Sequence, residues 1–511
     1  MLVIGDLSHA QARRCPQKAA LVMGDEVLSY AELDAQSNRV AHALLAEGLV
    51  PGDRVALLGH NSIEYAVVLQ AVAKCGAIVV PLNFRLTATD LSQVLSDSQA
   101  AVLMTEPMFD AVVDAALPGL AQPPRYWTFG DKSPRSAFIR CAEQPASHPD
   151  IEVDPAGPAM LLYTSGTTGA PKGVLMSHAM LFRMFAATAI EAGLTHDEVT
   201  LLAAPMFHLA GMNMALNQAL YLGATGVVHR GRFEPAVILD LVERCRITWA
   251  VLVPTTIAAL AFDPSTPRRD LSSLRKIFYG SMPIAPAVLE RARTVFPQVA
   301  FTQIYGSTEC GMVAVLRAAD HERWSQATGR EALLSKLRIV DDEGRDTPVD
   351  AVGEVIVDAR HMGMIGYWRN EAATREAVQD GWVRSGDLAR VEAEGFFTIV
   401  DRRKDVIISG GENIYPKEVE AALAAHPAVL EVAVFGIPDD AYGEAVCAAV
   451  ALRPGHEVGS DELDGWCTER LARYKRPRRI EFHSALPRNA SDKVVKQVLR
   501  APHWAGRARA I

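Results

Sequence analysis

The chain has 511 residues, 49% of them hydrophobic, so it can bury more than one core and we expect at least two domains. The formal net charge of −9 disfavours a general nucleic-acid binder. The seven cysteines show no paired spacing, which indicates free thiols in a reducing compartment rather than a disulfide framework or a zinc site.

The sequence shows no segment that we expect to cross or enter a membrane. The longest apolar run, Tyr65 to Leu82, is broken by Gln70, Lys74 and Gly76 and falls short of a span. Met1 to Asp6 lacks the basic start and long apolar core of a signal peptide. We therefore expect a cytoplasmic protein.

The first elements in chain order alternate between helix and strand. Ser29 to Glu47 carries apolar residues at helical spacing, and Ser29 and Glu32 have the spacing of a capping box. Arg54 to Leu58 and Ala77 to Pro81 are short apolar runs typical of buried parallel strands. This alternation predicts an α/β domain.

The next feature is a polar loop within Leu161 to His178, LLYTSGTTGAPKGVLMSH. Its glycines permit close backbone approach, its hydroxyls donate hydrogen bonds and Lys172 supplies a cation, which together suit a polyphosphate. The spacing differs from the Walker loop, because Lys172 lies three places beyond Gly169 and is followed by Gly173. From the residues alone, a mobile surface linker remains the alternative.

Two later strand-like runs each lead into a glycine-containing polar turn. Leu274 to Tyr279 precedes Gly280-Ser281-Met282-Pro283, and Phe301 to Gly306 leads into Tyr305-Gly306-Ser307-Thr308-Glu309. Ligands of α/β sheets lie at the carboxyl ends of strands, so these turns are candidate binding loops as well as simple turns. Glu309 is either a surface carboxylate or a magnesium-associated residue near phosphate.

The C-terminal part changes character. Short strand-like runs near residues 337, 353 and 396 predict a small β-rich subdomain. The charged and glycine-containing stretch Asp401 to Pro416 is a plausible domain boundary, and the tail beyond it predicts a compact α+β unit. We expect an α/β fold with a large N-terminal domain at 1–402, built from parallel-type sheets with flanking helices, and a smaller C-terminal domain at 403–511.

These motifs, in this order and separation, resemble those of the adenylate-forming superfamily, which includes AMP-forming acyl-CoA synthetases and the adenylation domains of peptide synthetases. The resemblance covers most of the chain. It implies a mobile C-terminal domain with a hinge near Lys404, and an ATP- and acyl-binding N-terminal domain. The implied ATP- and AMP-binding residues are Thr164, Ser165, Gly166, Thr167, Thr168, Gly169, Lys172, Gly280, Ser281, Met282, Tyr305, Gly306, Ser307, Asp387 and Arg402.

The same resemblance implies the catalytic set. Lys493 corresponds to the catalytic lysine of the family, Glu309 to the magnesium-associated residue, and Thr308 to a partner of the α-phosphate or adenylate. His208, in AAPMFHLAG, would lie between the acyl pocket and the thiol passage, although a lone histidine among apolar neighbours also suits a core. One departure is Asp492, which stands where the family usually has glycine; its carboxylate could pair with Lys493.

The implied contacts with coenzyme A come mainly from the C-terminal part. They are Gly410, Gly411, Glu412, Arg85, Tyr442, Arg473 and Lys475. Arg473 and Lys475 belong to a basic cluster with Arg476, Arg478 and Arg479, which a solvated surface also explains.

Taken together, the resemblance implies an AMP-forming acyl-CoA synthetase that uses ATP, Mg²⁺ and coenzyme A. The alternative is a stand-alone adenylation enzyme that loads a carrier-protein thiol. Candidate pocket residues, largely apolar, favour a fatty or aromatic acid: Met206, Met212, Met214, Ser281 and Tyr305. The expected partners are this small-molecule acid and, at most, a second copy of the chain in a homodimer.

Overall fold

A computed structural model describes residues 3–164, 171–488 and 494–505. Its helices are α1 (Asp6–Arg14), α2 (Tyr30–Ala46), α3 (Ile63–Lys74), α4 (Ala88–Ser98), α5 (Asp110–Ala116), α6 (Ala137–Arg140), α7 (His178–Ala192), α8 (Gln218–Leu222), α9 (Pro235–Arg244), α10 (Pro254–Phe262), α11 (Pro286–Val295), α12 (Glu371–Ala377), α13 (Pro416–Ala424), α14 (Ser460–Thr468) and α15 (Lys496–Trp504). A π-helix spans Ala210–Asn217.

The strands, in chain order, are β1 (Ala19–Met23), β2 (Glu26–Ser29), β3 (Arg54–Leu58), β4 (Ile78–Leu82), β5 (Val102–Thr105), β6 (Arg125–Thr128), β7 (Pro158–Thr164), β8 (Lys172–Ser177), β9 (Val199–Leu202), β10 (Thr225–Val228), β11 (Trp249–Leu252), β12 (Lys276–Tyr279), β13 (Ala300–Ser307), β14 (Gly311–Leu316), β15 (Gly329–Glu331), β16 (Leu337–Val340), β17 (Val352–Asp358), β18 (Gly366–Tyr367), β19 (Val378–Gln379), β20 (Trp382–Val391), β21 (Phe396–Arg402), β22 (Ile407–Ser409), β23 (Glu412–Ile414), β24 (Val429–Asp439), β25 (Gly443–Leu452) and β26 (Arg479–His483).

The chain forms two compact units that interleave along the sequence. The N-terminal unit comprises residues 1–337 and 356–385, and the C-terminal unit comprises residues 338–355 and 386–511. The mixed α/β architecture, with a large N-terminal part and a smaller C-terminal part, confirms the predicted fold class. The predicted division after residue 402 and the hinge near Lys404 stay predictions.

The N-terminal unit contains two sheets. In one, the strands follow the order β15-β14-β13-β12-β11-β9-β10-β1-β2; in the other, they follow β18-β8-β7-β4-β3-β5-β6. The pairs β9–β11, β11–β12 and β12–β13 are parallel. A fully buried run such as β4 suits a strand covered on both faces by helices.

Local sequence signals explain the start of this unit well. Ser29 caps α2: its backbone N–H donates to the Glu32 side chain, and its hydroxyl oxygen accepts from the Glu32 N–H at 3.3 Å. This is the predicted capping box. The predicted strand at 54–58 is observed at those residues, and the one at 77–81 is shifted by one residue.

The C-terminal unit contains two groups of strands. The strands β16-β17-β20-β21 form the small β-rich portion predicted from the short apolar runs. A second sheet has the order β23-β22-β25-β24, with β26 parallel to β25. Its two faces belong to different cores, one of which contains Val434 and Val446 and the other Phe435 and Cys447.

Within the residues that the structure describes, no helix is both long enough and apolar enough to cross a bilayer.

Candidate active site

The carboxyl ends of parallel strands bring three predicted binding segments to one edge of the N-terminal sheet. The registers Trp249↔Lys276 and Lys276↔Ala300 align β11, β12 and β13 in the same direction. The segment with His208 follows β9, the turn at Gly280 follows β12, and Glu309 follows β13. This edge is where ligands of α/β sheets bind.

The predicted phosphate loop joins two paired strands. Thr164, the last residue of β7, pairs with Lys172, the first residue of β8, and its hydroxyl donates to the Lys172 carbonyl at 3.4 Å. The hairpin therefore fixes both ends of the loop. The remaining predicted loop residues lie outside the described residues: Ser165, Gly166, Thr167, Thr168 and Gly169.

One side chain that the sequence analysis missed, Tyr367, connects the predicted phosphate cation to the predicted magnesium residue. The Nζ of Lys172 lies 5.2 Å from the centre of the Tyr367 ring. The Tyr367 hydroxyl donates to Oε1 of Glu309 at 3.3 Å. Lys172 and Glu309, separated by more than 130 residues, thus contact the same tyrosine.

Backbone pairing fixes this tyrosine. Strand β18 pairs with β8 through Tyr367↔Val174. The Trp368 N–H donates to the Gly173 carbonyl at 2.8 Å, and the Met364 N–H donates to the Glu309 carbonyl at 2.8 Å. The segment 364–368 is thus bonded to the phosphate hairpin and to the turn that carries Glu309.

The side chains of Lys172, Tyr367 and Glu309 together suit an anionic ligand that carries a metal cation. Burial, followed by the charge of Glu309, raises the pKa of Tyr367, so the phenol stays protonated and donates. Glu309 is half-buried. Its carboxylate has acceptor capacity beyond the bond from Tyr367, and a lone carboxylate beside phosphate oxygens and water is the donor set that Mg²⁺ takes. The residues present therefore fit a magnesium ion.

Two glycines allow the turns at this edge. A Cβ on Gly306 would lie 1.9 Å from the Gly311 carbonyl oxygen, and a Cβ on Gly280 would lie 2.4 Å from the Ile304 carbonyl oxygen. Only glycine fits at either position. Ser281 has φ of +69°, a conformation that costs free energy for a residue with a side chain.

The predicted nucleotide residues of this edge have different exposures. Ser281 and Met282 are exposed, with Met282 at 47%, whereas Tyr305, Ser307 and Thr308 are half-buried. The hydroxyl oxygen of Ser307 accepts a hydrogen bond from the Cys310 N–H at 3.1 Å. That bond fixes the turn that carries Thr308 and Glu309.

A buried asparagine positions the segment with His208. The Asn61 side chain donates to the carbonyls of Leu202 and Ala204 at 3.1 and 3.0 Å, and its oxygen accepts from the Met206 N–H at 2.8 Å. His208 is half-buried, and its ring lies 4.2 Å from that of Phe207. Asn61 therefore orders the chain just before His208.

Arg85 packs against Phe84, which contacts Phe207, the neighbour of His208. Its guanidinium stacks over Phe84 at 5.0 Å, and Phe84 meets Phe207 edge to face at 5.1 Å. Arg85 is exposed, so its guanidinium is accessible to an anionic ligand. Three of the candidate pocket residues are buried instead: Met206, Met212 and Met214.

In the C-terminal unit the two predicted ribose residues pair directly. Asp387 on β20 is opposite Arg402 on β21, and the Arg402 Nε lies 3.1 Å from the Asp387 Oδ1. Asp387 is buried, whereas about half of the Arg402 side chain is exposed. Its neighbour Asp401 accepts bonds from the N–H groups of Arg402 and Lys417, both at 2.7 Å, and so caps helix α13.

Three of the residues expected to contact coenzyme A lie together in the C-terminal unit. Gly410 and Gly411 both have positive φ, and the Gly410 N–H donates to the Tyr442 carbonyl at 2.8 Å. The Arg478 guanidinium lies 4.1 Å above the Tyr442 ring, which is 47% exposed. Tyr442 and Arg478 thus form an exposed aromatic-cation pair beside a glycine turn.

Among the other predicted residues of the C-terminal unit, Lys475 already has a partner within the chain. The Lys475 Nζ donates to both carboxylate oxygens of Glu418 at 2.7 Å. Arg473, Lys404 and Glu412 are exposed. The predicted catalytic Lys493, and Asp492 before it, lie outside the described residues.

Comparison with known proteins agrees with this geometry. A family model described as AMP-binding enzyme matches residues 8–368, and a model of the C-terminal domain of AMP-binding enzymes matches residues 418–493. The first match covers the phosphate hairpin, the edge with Glu309, and Tyr367. The chain belongs to the AMP-binding enzymes of the adenylate-forming superfamily and is an acid–thiol ligase.

Three similar proteins show the range of the relatives. A feruloyl-CoA synthase of Amycolatopsis sp is 38% identical over 499 residues, covering 97% of this chain and 98% of the relative. A fatty acid–[acyl-carrier-protein] ligase, ScoC, of Streptomyces coeruleorubidus is 38% identical over 511 residues, covering 98% and 96%. The solved anthranilate CoA ligase AuaEII, in complex with anthranoyl-AMP, has a TM-score of 0.88 at 27% identity, covering 98% and 97%.

Proposed function

We propose that this protein is an AMP-forming acyl-CoA synthetase that activates a fatty or aromatic carboxylic acid with ATP and transfers the acyl group to coenzyme A. The observation that carries the proposal is that Lys172 and Glu309 both contact Tyr367 in the N-terminal unit. Lys172 is the first residue of β8, the second strand of the phosphate hairpin. A cation and a carboxylate that contact one tyrosine, where β7 and β8 lead into the hydroxyl- and glycine-rich stretch of the sequence, suit a polyphosphate with its metal.

In the first step, a carboxylate oxygen of the acid attacks the α-phosphorus of ATP and pyrophosphate leaves. Both reactants are anions, so the site needs cations and dipoles more than a general base. Lys172 would hold the departing phosphates, and Lys493 would offset the charge that develops between the α-phosphate and the acid. Mg²⁺, held by Glu309, would neutralise phosphate charge.

In the second step, the thiol of coenzyme A attacks the acyl carbon and AMP leaves. Lys404 would act as the hinge that lets the C-terminal domain withdraw Lys493 and present Gly410, Gly411 and Glu412 to the thiol. Conformational steps of this kind commonly separate two half-reactions of one enzyme. Asp387 and Arg402 would bind the ribose, because a paired carboxylate can accept bonds from both hydroxyls of a diol.

The exposed Tyr442–Arg478 pair supports coenzyme A as the acceptor. An aromatic ring with a stacked guanidinium offers a surface for an adenine and a charge for a phosphate. Arg473 and Lys475 lie nearby in sequence, and Arg85 offers an exposed charge in the N-terminal unit. A carrier protein would instead need a docking surface.

The acid is proposed from the apolar character of the candidate pocket and from the relatives. The segment that carries His208 is largely apolar and includes Phe207 and three methionines, Met206, Met212 and Met214, which suit a ring or an alkyl chain better than a second carboxylate. The similar proteins are named for ferulate, fatty acids and anthranilate. We therefore expect a monocarboxylic acid with an aromatic or aliphatic body.

The experiment incubates the purified chain with ATP, Mg²⁺, coenzyme A and a panel of acids, and measures AMP and acyl-CoA. Ferulate, anthranilate and medium- and long-chain fatty acids form the test set, and malonate is the dicarboxylate control. We expect equal amounts of AMP and acyl-CoA with at least one monocarboxylic acid. Glu309→Gln should lose the activity, whereas Glu371→Gln, which changes an exposed carboxylate on α12, should keep it.

Replacing coenzyme A by a phosphopantetheinylated carrier protein separates the two acceptors. If the carrier is acylated and coenzyme A is not, the acceptor assignment is wrong although the adenylation step survives. If no acid supports AMP formation, the proposed function fails as a whole.

A further inference from the structure

One face of the C-terminal sheet carries a thiol, a carboxylate and an imidazole from three separate elements. Cys447 lies on β25, Glu481 on β26 and His503 on α15. Their ligand atoms all lie within 4.8 Å of one another. None of these side chains takes part in the proposed reaction.

The fold explains why these groups meet. Strands β25 and β26 are parallel, with Cys447 opposite Arg479 and Ala449 opposite Glu481, so the odd-numbered residues of both strands share a face. Cys447 and Ala449 pack in one core with Leu499 of α15. The helix therefore covers the face that carries the thiol and brings His503 to the edge of the core.

Further contacts hold the helix end in place. The indole N–H of Trp504 donates to the Gly436 carbonyl at 3.0 Å, and the His503 ring lies 5.9 Å from that of Phe435. The His503 Nε2 is 3.4 Å from the Glu481 Oε1. These contacts hold the end of α15 against the sheet, with the imidazole beside the Glu481 carboxylate.

Ion pairing alone explains part of this cluster. The Arg479 Nε lies 2.6 Å from the Glu481 Oε1, so the carboxylate already has a cationic partner. This ion pair does not account for the position of His483. The buried Nε2 of His483 makes no hydrogen bond within the described chain and lies 4.0 Å from the Glu481 Oε2. A carboxylate has lone pairs for both a guanidinium and a further cation.

The thiol is in a setting that a metal ion would change. Cys447 is fully buried, so a thiolate at this position would need a cation beside it. A divalent metal ion binds the thiolate and displaces its proton to solvent. The bond between the metal and the sulfur then offsets the free energy that burying a thiolate costs.

We propose that Cys447, Glu481 and His503 bind a zinc-class divalent ion, with a fourth position for water or for His483. Thiolate and imidazole select zinc over magnesium or calcium, which prefer oxygen ligands. Ligand atoms around a tetrahedral zinc ion are about 3.5 Å apart, so the separation in the structure needs only a small side-chain adjustment.

The location gives the ion a structural role. Helix α15 begins three residues after Lys493, the predicted catalytic lysine. An ion bound by His503 on this helix and by two strands ties the last helix to the sheet. This site does not depend on the proposed reaction, because none of its three ligands has a role in that reaction.

The test titrates chelator-treated, full-length protein with Co²⁺, which replaces zinc and reports a bound thiolate by an intense near-ultraviolet absorption band. We expect one ion per chain and a thiolate band in the wild type. Cys447→Ser and His503→Gln should each lose the band and weaken binding by at least about 100-fold, since they remove ligands. Cys467→Ser is the matched control, because this second buried thiol of the same unit lies in the opposite core.

Glu481→Gln guards against a variant that simply fails to fold, since it keeps the shape and hydrogen-bonding capacity of the side chain. Excess Zn²⁺ should raise the Tm of the wild type and of Cys467→Ser, but not of Glu481→Gln. Absence of a thiolate band in the wild type, or an unchanged band in Cys447→Ser, overturns the proposal. Binding that survives these variants but is lost in His9→Gln also overturns it, because the ion would then lie at the cluster of His9, Asp34 and His148.

Discussion

The two contacts of Tyr367 can be separated by substitution, and each has an expected magnitude. Tyr367→Phe removes the hydroxyl that donates to Glu309 at 3.3 Å but leaves the ring 5.2 Å from the Lys172 Nζ. A hydrogen bond to a charged group is worth about 1.5–3 kcal/mol, and this one is longer than the usual range for a hydroxyl donor, so we take about 1 kcal/mol. Tyr367→Phe should therefore lower kcat/KM for ATP roughly fivefold.

Tyr367→Leu also removes the aromatic face. The cation–π contact contributes about 0.5–1 kcal/mol at a partly exposed position, which is a further factor of roughly 2–5. We therefore expect a graded series in which the phenylalanine variant lies between the wild type and the leucine variant. If strand β18 still pairs with β8, the free energy of unfolding of both variants should lie within about 1 kcal/mol of the wild-type value, which a denaturant titration checks.

The assay is acid-dependent exchange of labelled pyrophosphate into ATP, measured as kcat/KM for ATP. Exchange isolates adenylation because it needs no thiol acceptor. If Tyr367→Phe exchanges at the wild-type rate, the hydroxyl does not act on Glu309 in the reaction. If it loses as much as Tyr367→Leu, the ring contributes nothing and the assigned role of Lys172 in this contact is wrong.

Three further predictions test other parts of the chain. Lys493→Ala should lose at least about 100-fold in pyrophosphate exchange yet still form thioester from a supplied acyl-adenylate; equal loss in both assays would contradict the two-conformation scheme. Lys404→Pro should slow thioester formation more than exchange, and equal loss would refute the hinge assignment. Burial lowers the pKa of His178 to about 4, and its Nδ1 accepts from the Ile4 N–H at 3.2 Å, so the free energy of unfolding should fall by roughly 3 kcal/mol as the pH drops from 6.5 towards 4. His178→Asn keeps an acceptor without a titrating ring and should show a shallower fall in urea titrations across that pH range; an equal fall would refute the assignment to His178.

The sign of the His178 effect follows from its folded pKa being below its unfolded one. Between about pH 6.5 and pH 4 the unfolded chain binds this proton and the folded chain does not, so folding becomes less favourable as the pH falls. Above pH 6.5 the imidazole is neutral in both states and contributes no pH dependence.

Local signals in the sequence predicted the regular elements. The capping box of Ser29 and Glu32 marks the start of α2, because the two residues satisfy each other's neighbouring N–H groups within one turn. Arg54 to Leu58 was bounded correctly since a turn precedes it and its apolar residues end abruptly. The π-helix at Ala210–Asn217 was not predicted, because its hydrogen-bond pattern has no simple periodic signature.

The candidate site contains motifs that the sequence reveals and contacts that it does not reveal. Lys172 and Glu309 lie in recognisable polar turns, whereas Tyr367 belongs to a two-residue strand whose partner is almost two hundred residues away. Asn61 was also missed, since its role rests on three bonds to a distant segment rather than on any local pattern. A polar residue just before a strongly apolar helix was the only signal for it.

The zinc-class site shows the same limit. The cysteine spacing shows no multi-cysteine motif, but one cysteine can still meet ligands from other elements. Cys447 and His503 are brought together by the parallel pairing of β25 with β26 and by the packing of α15, neither of which spacing reveals.

Analysis of the nucleotide products distinguishes adenylate formation from other routes of acyl activation. We expect the purified chain, given ATP, Mg²⁺, coenzyme A and an accepted acid, to form AMP and pyrophosphate in equal amounts with acyl-CoA, and pyrophosphate exchange to require the acid but not coenzyme A. Formation of ADP and phosphate, or acyl-CoA formation without acid-dependent exchange, would contradict this expectation.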